Sequence, residues 1–109
     1  RSLVKDATTP LIAKWEPLLR VKVSNLFVQQ MKTKWGSCNP VARNIRLNSE
    51  LAKKPPECLE YIVVHEMVHL LEATHNQKFI KLMDHFMPAW RHYLDVLNSL
   101  PVRHERWSF

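Results

Sequence analysis

The spacing of apolar positions changes along the chain, and each change marks an element. Leu11, Ile12, Trp15, Leu18 and Leu19 recur at helical spacing. Thr9 is placed to cap that helix, Pro10 to open it and Pro17 to bend it. From Val21 to Trp35 the pattern shortens to strand-like alternation, with Phe27, Met31 and Trp35 on one side and Gln30, Lys32 and Lys34 on the other. Asn44 to Asn48 reads as a second strand with Ile45 and Leu47 inward, after a turn signal at Asn39-Pro40. Ser49 is placed to cap a short helix that Pro55-Pro56 stops. A helix apolar nearly all round starts near Glu57, as a central buried helix should. Asn76 caps the next, with Phe79, Ile80, Met83, Phe86 and Met87 on its stripe, and Pro88 opens a last one carrying Trp90, Tyr93, Leu94 and Leu97. The pattern predicts an α+β domain: a short antiparallel sheet packed on a central helix with flanking helices.

That central helix holds three residues that do not suit an apolar core. His65, Glu66 and His69 form the pattern H-E-x-x-H. At i and i+4 the two imidazoles stand one turn apart on one face, so both reach one metal ion. Glu66 lies beside them, where it can address a metal-bound water without being a ligand. Zinc suits such a site because it takes neutral imidazole nitrogens in a tetrahedral shell. The plainer reading, a pair of solvated or core-satisfied histidines, must meet the cost of burying them without partners.

A third ligand is needed. His75 follows His69 by six residues, the spacing of the extended metzincin motif, but Glu72 stands where that motif has glycine. Were the helix to continue, His75 would lie about 9 Å further along its axis than His69. The chain must therefore turn just after the second histidine, and Ala73-Thr74 is a place for it. Glu72, Asp84, His85 and Asp95 are rival ligands, none with distinctive spacing.

A wider set of residues carries a family resemblance. Met31-Lys32-Thr33-Lys34-Trp35-Gly36-Ser37-Cys38, Asn44-Ile45-Arg46-Leu47-Asn48, Leu51, the helix from Leu59 to His69, His75-Asn76, Phe79 and the terminal Arg103-His104-Glu105-Arg106-Trp107 are similar to the YgjP-like metallopeptidases. That family is related to the SprT-like and WLM proteases. The resemblance implies a small zincin-like domain and one Zn2+ per chain. It also implies His65, His69 and His75 as ligands and Glu66 as catalytic acid/base.

Length and composition fit one domain over residues 1–109: 46% hydrophobic and 24% charged residues are ordinary for a soluble globular protein. No apolar run approaches the roughly 20 residues of a membrane span. No signal peptide is recognisable, and the chain opens on Arg1, so a native N-terminal segment is expected to be missing. Cys38 and Cys58 have no metal spacing to each other and are expected as reduced thiols in a cytoplasmic protein. Cys38 reads first as a small packing residue and second as a thiolate able to reach the metal. The net charge of +6 permits nucleic acid as a partner, although the basic residues are spread and a solvated surface is the plainer account.

The chemistry these residues point to is metal-assisted hydrolysis of a peptide bond in a peptide or protein, with Glu66 moving the proton. An extended substrate against a sheet edge fits the residues around Arg43 to Leu47. Arg43, Tyr61, His92 and Tyr93 are polar candidates for stabilising an oxyanion, and each also fits a structural or surface role. Two further classes stay open: a nucleic-acid-associated protease or binding module, and a structural zinc domain without catalysis. Structural zinc sites are usually closed and thiolate-rich, unlike this one.

Overall fold

A computed structural model describes residues 2–99. The order is α1 (Ser2–Leu19), β1 (Asn25–Gln29), β2 (Gly36–Asn39), β3 (Asn44–Asn48), a 3-10 helix (Ser49–Lys53), α2 (Pro56–Val68), α3 (Gln77–Phe86) and α4 (Trp90–Ser99). The α+β class stands. The sheet is mixed instead of wholly antiparallel: β3 is central, parallel to β1 and antiparallel to β2.

Register decides which side chains reach the core. Leu26 pairs with Ile45 and Val28 with Leu47, while Gly36 and Cys38 sit opposite Leu47 and Ile45 across the other ladder. These positions share the inner face, and Ile45 and Leu47 are fully buried. Phe27, which the pattern grouped with Met31 and Trp35, is one residue out of phase with the buried positions and 42% exposed on the outer face. Arg46, its partner across the ladder, holds its guanidinium 5.3 Å from the Phe27 ring. The segment Gly36–Asn39, to which the pattern assigned no strand, is strand β2. Its hairpin turn falls where Asn39-Pro40 marked it, and the Asn39 side chain accepts from the Val41 and Ala42 amides at 3.1 Å each.

The first helix begins well before Thr9. Val4 and Thr8 are buried on the same stripe as Trp15 and Leu19, so packing carries the helix through Pro10 and Pro17 despite the bonds each proline removes. The Thr9 hydroxyl donates to the Lys5 carbonyl at 3.0 Å, a mid-helix bond in place of a cap. Leu18, expected on the stripe, is 52% exposed. The helix ends with Arg20 in the left-handed region (φ 58°) and the Val21 amide bonded to the Glu16 carbonyl at 3.1 Å, a Schellman closure. A second left-handed residue, Arg43 (φ 60°), closes the β2–β3 hairpin.

Two polar side chains, one buried and one half-buried, tie these parts together. Asn48, fully buried, donates to the Met31 and Lys34 carbonyls at 3.0 and 2.8 Å and accepts from the Glu50 amide at 3.0 Å. It therefore caps the 3-10 helix that Ser49 was expected to cap. Glu60 of α2 accepts from Lys14 Nζ and Trp15 Nε1 of α1, both at 2.8 Å. Around them α2 is buried continuously from Tyr61 to Val68. Among the described residues no helix is long and apolar enough to cross a membrane.

Candidate metal centre

Helix α2 ends where the second histidine needs it to. His69 is its C-cap, and the Leu70, Leu71 and Glu72 amides bond back to Met67 and Val68. The chain then bends until Asn76 caps α3, accepting from the Phe79 amide at 3.0 Å. That cap returns His75 to the helix it left. His75 Nε2 lies 2.9 Å from His69 Nε2 and 3.2 Å from His65 Nε2. Two nitrogens each about 2.0–2.1 Å from one tetrahedral ion stand about 3.3 Å apart, so the three can hold a single metal ion.

The surroundings favour the ligand form of each ring. Burial holds the pKa of His65 well below the usual histidine range, helped by His69 and His75, and also lowers His69 and His75. Neutral imidazoles are what a metal binds. His69 Nδ1 faces the Glu72 carbonyl at 3.1 Å. A carbonyl only accepts, so the proton sits on Nδ1 and Nε2 keeps its lone pair. Phe79, buried at the start of α3, packs against all three rings with centroids 4.6 to 5.0 Å away. The pattern assigned Phe79 only to a core stripe; its place four residues after His75 is what brings it under the site.

A family model described as YgjP-like, metallopeptidase domain, matches residues 1–100. The chain belongs to the YgjP-like metallopeptidase family. Two solved structures share the fold. The metallopeptidase zymogen of Pyrococcus abyssi abylysin aligns with a TM-score of 0.74 at 19% identity, over 88% of this chain and 92% of that one. The zymogen of Methanocaldococcus jannaschii jannalysin aligns with a TM-score of 0.66 at 21% identity, over 90% and 97%. A comparison with curated proteins returned no match. The segment Arg103-His104-Glu105-Arg106-Trp107, which also carried the resemblance, lies outside the described residues.

In this YgjP-like chain the Trp35-Gly36-Ser37-Cys38 segment has a spatial reason. Gly36 lies against α2: a Cβ there would stand 3.0 Å from Ile62 Cγ2, 3.1 Å from Glu66 Oε2 and 3.2 Å from the Arg46 carbonyl. The chain's one glycine is thus where strand and carboxylate meet. Glu66, 2% exposed, has its pKa pushed up to about 8 by burial, with Lys34 pulling the other way. Cys38 follows on the same face, and burial together with Glu66 raises its thiol to about 12. Its place outside the histidine group that could hold a metal fits packing better than metal ligation. Cys38 and Cys58 are both free thiols.

The rival ligands stay apart from the cluster. Glu72 spends its carboxylate on Asn76 Nδ2 at 2.8 Å, and Asp84 accepts from Trp90 Nε1 and Arg91 at 2.8 and 2.7 Å. His85 and Asp95 are exposed on α3 and α4. Of the oxyanion candidates, Tyr61 is buried with its ring edge-on to His65 at 5.9 Å, His92 and Tyr93 pack on each other, and Arg43 is at the hairpin.

Proposed function

We propose that this chain is a zinc-dependent peptidase in which His65, His69 and His75 hold one zinc ion and Glu66 is the catalytic acid/base. The convergence of three neutral imidazoles beside a carboxylate of raised pKa carries this reading. An all-nitrogen donor set with solvent reaching it past exposed His75 suits an open zinc site better than a closed structural one. Bound there, zinc supplies Lewis acidity, polarising a scissile carbonyl and acidifying water.

The remaining work falls to the chain. Glu66 accepts the proton of the attacking water at its carboxylate and hands it to the leaving amine; burial raises its proton affinity above that of an ordinary carboxylate, which favours accepting a proton, and a zinc ion on the histidines would offset part of that rise. The substrate strand does not lie along Arg43 to Leu47, because β3 is paired on both sides. The edge nearest Glu66 is β2. The Asn48 amide donates to the Trp35 carbonyl at 2.9 Å, and alternation from that pair turns the backbone groups of Gly36 and Cys38 outward. A peptide added there gains main-chain bonds within reach of Glu66.

Glu66→Gln keeps size and polarity but removes the base. Hydrolysis of a denatured-protein and peptide library should fall by about 10² to 10⁴ while zinc, measured by elemental analysis, stays bound. Full activity in that variant would remove Glu66 from the chemistry, and loss of zinc would make it a ligand.

A further inference from the structure

Helix α2 hands the chain on to α3 through Glu72, and Glu72 is bonded at both ends. Its amide closes the last turn of α2 on the Val68 carbonyl at 2.9 Å. Its carbonyl accepts from His69 Nδ1 at 3.1 Å, and its Oε1 accepts from Asn76 Nδ2 at 2.8 Å. One residue therefore touches the ring of the second histidine and the chain neighbour of the third.

Asn76 carries the contact onward. Its Oδ1 accepts from the Phe79 amide at 3.0 Å and so fixes where α3 begins. The Phe79 ring, buried there, lies against all three imidazoles. Between Glu72 and Asn76, the residues Ala73, Thr74 and His75 are exposed, so burial does not set the path of the backbone that carries the third ligand. The side-chain bond across that turn ties the end of one helix to the cap of the next. Glycine at position 72, as in the extended metzincin motif, would have no group to make it.

We propose, resting on the zinc site assigned above, that Glu72 and Asn76 are positioning residues whose bond holds His75 at the distance from His69 that one ion requires. A ligand held in place before the metal arrives need not be ordered by it, and that difference appears as affinity. Partners behind metal ligands commonly change metal affinity by about 10- to 100-fold.

The two tasks of Asn76 separate by substitution. Asn76→Ser keeps a cap acceptor for the Phe79 amide and the same net charge, but has no amide to reach Glu72. The metal-free variant should melt within about 4 °C of the unaltered chain. Its zinc affinity, measured by competition with a chelating dye, should fall about 10-fold or more. With Co2+ in place of zinc its visible absorption should change too, because ligand geometry sets that spectrum. Asn76→Asp/Glu72→Gln keeps the cap and the net charge while exchanging donor and acceptor, so zinc affinity should return to within about 3-fold of the unaltered chain. Should Asn76→Ser lose its fold, Glu72→Ala against Glu72→Gln makes the same test at equal charge, since the glutamine oxygen still accepts from Asn76. A folded Asn76→Ser that binds zinc as the unaltered chain does overturns the proposal, as does equal affinity in the Glu72 pair. So does an exchanged pair as weak as Asn76→Ser. A fall in zinc affinity matched by an equal fall in metal-free stability would make Asn76 a cap alone and overturn it as well. Zinc binding that survives His75→Ala would instead remove the site itself, and the positioning role with it.

Discussion

Glu66 is held by surroundings that favour its proton, and this has a consequence for stability. Its pKa rises from 4.5 to about 8 on folding. Between those values the folded chain binds more protons than the unfolded one, so rising pH withdraws stability. The lowered histidines act in the opposite sense, gaining stability as pH climbs towards 6.5. Both proteins keep those histidines, so they cancel in a comparison of the metal-free chain with metal-free Glu66→Gln. The variant's stability relative to the unaltered chain should therefore grow between about pH 5 and pH 8, read as urea midpoints. A difference constant with pH would mean that Glu66 is not held neutral. The histidine spacing was legible in the sequence because one helical turn is a fixed geometry. The contact between Glu66 and Gly36 was not, because no local pattern records which strand crosses a helix; only the rarity of glycine in this chain hinted at it.

Elements whose partners are close in sequence read well. The central helix, α3 with its Asn76 cap, α4 and β3 fell where periodicity and capping put them. The start of α1 did not, because Pro10 looks like a first residue until Val4 and Thr8 are known to be buried. The inner face of β1 depends on pairing with β3, and a one-residue shift reverses it. Strand β2 was missed because Gly36, Ser37 and Asn39 are poor strand formers whose place is set by α2 behind them. Gly36→Ala tests that packing. With three atoms at 3.0 to 3.2 Å from the new methyl, β2 or the Glu66 side chain must move. Stability should drop by about 1–3 kcal/mol. The peptidase rate per folded molecule should drop by about 10²-fold if Glu66 shifts by about 1 Å. An unchanged rate would show that the carboxylate need not sit against the strand.

Across the molecule, the proposed zinc site joins α2 to α3 through a turn that, among the described residues, no strand or disulfide braces. Metal affinity should therefore appear as folding stability. Zinc at 1,000 times its dissociation constant adds about 4 kcal/mol, so a chelator should lower the melting temperature and added zinc should restore it. His75→Ala should abolish that response while His85→Ala keeps it; a response surviving in His75→Ala would place the third ligand elsewhere. Helix α1 stands in a different relation to the whole. Its interior prolines, Pro10 and Pro17, each cost an isolated helix about 3 kcal/mol, so the segment has no helical life of its own. It becomes a helix on contact, held by its buried stripe and by Glu60 reaching Lys14 and Trp15. The groove between the end of α1 and the β2–β3 hairpin, lined by Arg20, Lys22 and Arg43, has α1 for one wall, and so it exists only in molecules whose first helix has already docked.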